Sequence, residues 1–199
     1  MNSTTDVLEA PVTEQILENQ PEKATLSSWN LDKSHSSAGF SVKHLMISNV
    51  RGHFNDLAGS LEYDPLHVEN SSVSVTIQAA TIDTRDANRD GHLKSADFFE
   101  VEKFPEITFQ STAWQHKNDD ELLVKGNLTM RGVTREIALT VERTQEVKDP
   151  WGGTRVGFTG RTKINRKDFG LGFNAVMETG GFVVGEDVAI TLETEFVKA

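Results

Sequence analysis

From Trp29 onward the chain repeats apolar residues at every second position. Phe40, Val42, His44 and Met46 alternate with Ser41, Lys43 and Leu45, and Val73, Val75, Ile77 and Ala79 with Ser74, Thr76 and Gln78. Ile137, Leu139 and Val141 keep the same rule, as do Val188, Ile190, Leu192, Thr194 and Phe196. A period of two puts one set of side chains on a dry face and the other in water, which is the mark of β-strands. Eight runs follow, over about 37–47, 50–63, 72–82, 106–115, 121–130, 136–147, 153–166 and 186–198. Parity slips between Phe54 and Leu57, which predicts a bulge or kink. Short polar links between long strands require antiparallel pairing, and eight such strands can close into a barrel wide enough for one small ligand. The exception is residues 84–105, where Thr84 can cap a helix near 85–96 and Pro105 ends the excursion. Leu93, Phe98, Phe99 and Phe104 give that segment enough apolar bulk to lie across a barrel mouth.

Residues 1–28 break the pattern. Asp6, Glu9, Glu14, Glu18 and Glu22 against Lys23 leave a net charge of −4, with two of the five prolines and no aromatic residue. Such a stretch cannot bury enough apolar surface to offset its ordering entropy, so it reads as a flexible acidic arm ahead of a barrel domain at 29–199. It also lacks the basic start and unbroken apolar stretch of a secretory leader, which predicts a cytoplasmic protein, the periplasm being the alternative had a leader been removed. No run is long and apolar enough to form a membrane helix.

Composition narrows the chemistry. The chain has no cysteine, which removes disulfides, thiol catalysis and Cys-ligated zinc. A net charge of −10 argues against a nucleic-acid partner, whose affinity rests on neutralising phosphates. Eleven Phe against one Tyr and three Trp suggest an interior kept dry, because buried Tyr and Trp need a hydrogen-bond partner and Phe does not. The sharpest motif runs from Asp86 to Asp97, with Asn88, Asp90, Gly91 and Leu93 at the spacing of a calcium loop. Against calcium, Asp97 replaces the bidentate Glu, Lys94 is cationic, and a strand precedes the loop where a helix is needed. His35, His44 and His53 recur every nine residues, an odd spacing that alternates faces of a strand, so no local metal pair forms. Neither a GxSxG elbow nor a phosphate-binding glycine loop occurs. The expectation is a protein without catalytic or metal-binding residues and with no required cofactor.

Several ordered blocks resemble the YceI-like family of polyisoprenoid- or lipid-binding, lipocalin-like proteins. They are Trp29, Asp32, His35, Phe40 and His44; Val50, Arg51, Gly52 and Phe54; Asp83, Thr84, Arg89, Asp90, His92, Leu93, Phe98, Phe99 and Pro105; Gly126 to Thr134; and Arg166, Asp168, Phe169 and Gly170. The resemblance covers essentially residues 29–198. It implies an extended eight-stranded antiparallel barrel, with a helix at one end and an apolar tunnel holding an isoprenoid, a quinone-like tail or a fatty acyl or amide chain. Phe40, Phe54, Leu93, Phe98, Phe99, Ile107, Phe109, Phe158, Phe169, Phe173 and Phe182 are the expected lining. His35, Arg51, Arg89 and Arg166 are the expected contacts of a polar head group. The partner is then a hydrophobic small molecule, carried in isoprenoid or quinone metabolism or a stress response, and open strand edges would permit a homodimer. The alternatives are an enzyme of isoprenoid metabolism and calcium binding through the Asp86–Asp97 loop.

Overall fold

The computed structural model describes residues 26–118, 120–175 and 183–199. Twelve strands form one antiparallel sheet: β1 (Ser27–Leu31), β2 (Ser37–His44), β3 (Ser48–Phe54), β4 (Leu57–Tyr63), β5 (Ser72–Gln78), β6 (Ile82–Asp83), β7 (Glu106–His116), β8 (Glu121–Met130), β9 (Val133–Arg143), β10 (Val147–Lys148), β11 (Thr154–Asn165) and β12 (Val184–Lys198). The helix α1 spans Ala87–Lys94. Eight strands close a ring in the order β1, β4, β5, β7, β8, β9, β11 and β12, with β12 returning to β1. This is the eight-stranded antiparallel barrel expected from the alternation, with one short helix.

Two of the eight expected runs, 50–63 and 72–82, are interrupted staves, and a strand outside the expected runs, β1, extends the first. The parity slip is a full break: β3 ends at Phe54, β4 begins at Leu57, and the backbone amides of Asn55 and Asp56 bond the Thr81 hydroxyl instead of a strand partner. β5 and β6 are split in the same way around Ala79–Thr81. The first stave is β1 plus β2, and its upper half, β1, pairs with β4 from Ser27 onward. The fifteen-residue β12 is the spine that unites them. It pairs with β11 from Asp187 to Val197 on one side, and with β2 up to Glu193 and β1 from Phe196 on the other.

The ring does not close along its whole height. β5 and β7 stop pairing at Gln78 and Glu106, and among the described residues β6 pairs with β3 alone. β9 and β11 pair from Thr140 to Arg143, whereas β9 reaches down to Val133 and β11 to Asn165. At this end the wall is completed by α1, the turns after it, and a 3-10 segment at Arg166–Phe169. Arg131, at the tip between β8 and β9, ties these covers together by donating to the carbonyls of Gly170 (2.6 Å) and Ala96 (2.7 Å).

The two ends of the barrel are filled differently. Trp29, Tyr63, Trp114, Phe158 and Phe196 pack as a buried plug in the fully paired half, the rings of Tyr63, Trp114, Phe158 and Phe196 meeting tilted or edge to face at 5.4–6.3 Å. Tyr63 belongs there because its hydroxyl reaches Arg143 at 2.6 Å, and Trp29 because its Nε1 donates to Ser27. Phe rings dominate the aromatic lining of the other half.

Candidate functional site

Below the plug lies a chamber of about 170 Å³. Its wall is built from the inward positions of almost every stave: Ala38, Phe40 and Val42 of β2, Phe54 of β3, Val75 and Ile77 of β5, and Ile107 and Phe109 of β7. Leu128 and Met130 of β8, Ile137 and Leu139 of β9, Ile164 of β11, and Val188, Ile190 and Leu192 of β12 continue it. Leu93 of α1, with Phe98 and Phe99 beyond it, closes one side, and Leu171 another. Two glycines make room for the rings. A methyl group on Gly52 would stand 2.5 Å from the Phe40 ring, and one on Gly126 would stand 2.4 Å from the Phe109 ring, so both rings approach bare backbone where a side chain would collide. Phe54 bridges Phe40 and Phe99 at centroid distances of 5.9 and 5.8 Å.

Seven of the expected lining residues meet here: Phe40, Phe54, Leu93, Phe98, Phe99, Ile107 and Phe109. Phe158 belongs to the plug, and Phe169 is 1% exposed within the core but outside the chamber wall. Phe173 is 40% exposed and packs on His92 and Phe98 at the rim. Phe182 lies outside the described residues. Sequence reasoning passed over the aliphatic wall, Val42, Val75, Leu128, Ile137, Val188, Ile190 and Leu192 among it, although the alternation already placed those residues inward.

The four cations expected at a head group are dispersed. Arg166 is the one in the chamber wall, 3% exposed. Its guanidinium spends its donors on backbone carbonyls: Nε on Gly185 at 2.8 Å, Nη1 on Leu171 and on Phe173 (2.9 Å), and Nη2 on Val184 at 3.4 Å. Burial pushes its pKa down, partly countered by the Glu186 carboxylate, yet a guanidinium starts far enough above neutrality to stay charged. Arg89 anchors α1, its Nε and Nη2 donating to the hydroxyl and carbonyl of Thr84. Arg51 is exposed on β3. His35 lies beside the plug, 3.0 Å from an Asp32 oxygen and 3.9 Å from a Glu195 oxygen.

That last cluster was not visible in the sequence. Asp32, His35 and Glu195 bring three ligand atoms within 4.8 Å of one another, but the cationic place is already taken. Arg155 donates to Asp32 and Asp149 at 2.7 Å each and to Glu195. Hydrogen bonds from Ser34, His35 and Arg155 hold the Asp32 carboxyl well below its usual range, and Asp32 in turn raises the His35 pKa. The carboxylates of the calcium-like loop are also engaged one by one. Asp86 caps α1 through the amides of Asn88 and Arg89, Asp90 accepts from the amide and hydroxyl of Thr84, and Asp97 meets His92 at 2.8 Å. Among the described residues they form no converging ligand group.

Comparison with known proteins places this geometry. Residues 29–196 match the model of the YceI-like domain. A UPF0312 protein of Shewanella baltica strain OS185 is 40% identical over 153 residues, 76% of this chain and 80% of its own. Among solved structures, Burkholderia cenocepacia BcnA superposes with a TM-score of 0.74 at 22% identity, covering 83% of this chain and 98% of BcnA. A domain from Saccharophagus degradans described as polyisoprenoid-binding superposes with a TM-score of 0.62 at 16% identity, covering 87% of this chain and 99% of that one. At those identities the two structures speak for the fold.

Proposed function

The chain belongs to the YceI-like family, and on that footing we propose that it binds and carries one long apolar chain, an isoprenoid, a quinone tail or a fatty acyl or amide, inside the barrel. The observation that carries this reading is the chamber: an apolar space bounded by Phe and aliphatic side chains in a barrel whose other half is solidly packed. An apolar cavity of this size stays dry and gains free energy when an apolar guest enters. The polyisoprenoid-binding description of the Saccharophagus relative supports the ligand class.

Size shapes the mechanism. At ~30 Å³ for each water-sized group, the chamber accommodates about six carbons as it stands. A dozen buried methylenes at ~0.8 kcal/mol each would reach micromolar affinity or better after ordering costs. A chain of that length therefore requires lining rings to turn aside, and Phe40 and Phe99, joined through Phe54, form with it the group placed to move. Among the candidate cations Arg166 is the one beside the chain, so a hydrogen-bond-accepting head group meets it by displacing one of its carbonyl partners.

Native mass spectrometry of the purified protein, followed by solvent extraction, tests the proposal. A single apolar molecule released at one per chain is the expected result. Protein stripped of lipid that then fails to take up a polyprenol, a quinone or a long-chain fatty amide would refute it.

A further inference from the structure

The β2–β3 hairpin ends in a feature that the barrel itself does not use. His44 pairs with Ser48, leaving Leu45, Met46 and Ile47 as the tip. Met46 is 64% exposed and Ile47 82% exposed. Leu45 and Met46 also hold left-handed backbone, at φ 52° and 61°, which side-chain-bearing residues adopt at a cost and which glycine or asparagine would fill more easily. An aliphatic tip kept in water on a costly turn needs a use outside the monomer.

Its position supplies one. The Leu45 amide donates to the Val183 carbonyl at 2.8 Å, and His44 pairs with Val184, itself part of the chamber wall, as is Val42 two residues before His44. Asn174 bonds both the amide and the carbonyl of Val184, which brings its neighbour Phe173, 40% exposed, to the same rim. The tip and Phe173 thus form an apolar border to the chamber end of the barrel.

Charge identifies what the border faces. Residues 33–55 contain no Asp or Glu in a chain of net charge −10. Lys43 and Arg51 are exposed on the two strands of the hairpin, and neither has a carboxylate within 4 Å among the described residues. Protruding aliphatics flanked by exposed cations suit a bilayer interface, where the side chains enter the acyl boundary and the cations meet anionic head groups.

We propose that the chamber end docks on an anionic lipid bilayer through the β2–β3 hairpin, with Met46 and Ile47 inserted and Lys43 and Arg51 on the head groups. The inference rests on the carrier reading, since it supplies the route by which a bilayer-resident chain reaches the chamber.

The test is co-sedimentation of the full chain with vesicles of phosphatidylcholine containing phosphatidylglycerol. Wild type is expected to sediment with them. Replacing both apolar side chains (Met46→Ser with Ile47→Ser) should lower the partition coefficient about a hundredfold, about tenfold per residue. Lys43→Gln with Arg51→Gln should lower it about twenty-five-fold and abolish its salt dependence. Thermal melts of both double variants, all four sites being outside the buried core, verify that folding is intact. Wild type left in the supernatant, or equal sedimentation of the Met46/Ile47 variant, overturns the proposal. Retention of dodecanol in vesicle-free buffer is measured alongside. Retention without docking sinks this inference and spares the carrier reading, whereas docking without retention does the reverse.

Discussion

Ala38 offers a way to shrink the chamber without disturbing its frame. It is 3% exposed, lines the chamber from β2, and sits between Phe54 and Leu192 in the ladder. Ala38→Leu adds three carbons, which at ~30 Å³ each claim roughly half of the chamber volume. A bound chain then loses about three methylenes of burial, ~2.4 kcal/mol or about fifty-fold in affinity. Stability should move far less. Filling a void regains about 24 cal/mol per Å³, ~2 kcal/mol here, against an overpacking cost of ~1–3 kcal/mol, leaving a net within about 1 kcal/mol. Calorimetric titration with dodecanol and nonanol, beside urea melts, separates the two effects. The variant should bind dodecanol about as weakly as wild type binds nonanol, while its own nonanol affinity stays nearly unchanged. Undiminished dodecanol binding in a stably folded variant would refute the assignment of the chamber as the chain site. A loss of binding matched by a large fall in urea midpoint would mean that Ala38 matters only to packing.

Other substitutions probe the surroundings of the chamber. Arg166→Met should destabilise the fold by ~3–5 kcal/mol in urea melts, because four carbonyls lose their donor, and a variant as stable as wild type would contradict that clasp. Gly52→Ala should drive the Phe40 ring into the chamber and weaken dodecanol binding, whereas unchanged affinity would show that the ring turns elsewhere. The lowered pKa of Asp32 stabilises the folded state above its unfolded value near 4 and is lost as pH falls below it, so Tm should drop there in wild type and less steeply in Arg155→Met. His35 behaves oppositely: its raised pKa contributes below its unfolded value near 6.5 and fades as pH rises through the folded one. The Tm gap between wild type and His35→Gln should therefore be larger at about pH 5.5 than at about pH 8.5, and equal gaps would disprove the Asp32–His35 pairing.

Alternation along the chain was enough to read every strand of the ring except the five-residue β1, and with them the inward residues, because the side-chain period of a strand is local. It could not say how high along the barrel axis an inward residue sits. That height is set by register between distant strands, as when Phe158 pairs with Thr194 and Arg143 and so falls in the plug. Phe109, on the same inward face by parity, pairs with Val75 and Leu128 and falls in the chamber. The breaks at Asn55–Asp56 and Ala79–Thr81 escaped a reading by period for a related reason: each is held by contacts to the other, across more than twenty residues. Arg166 was expected at a head group, but its burial and its four carbonyl partners arise only once the chain after it folds back. The Asp32–His35–Glu195–Arg155 cluster likewise joins opposite ends of the sequence.

The division between plug and chamber also decides what light can report. The chain has three tryptophans: Trp29 and Trp114 are sealed in the plug, and Trp151 is 85% exposed on a turn. None borders the chamber. Intrinsic fluorescence is thus an optical gauge of unfolding that is indifferent to cargo, so a flat emission spectrum during titration carries no news about occupancy. A single indole installed at Phe99 would give the empty and loaded forms different colours.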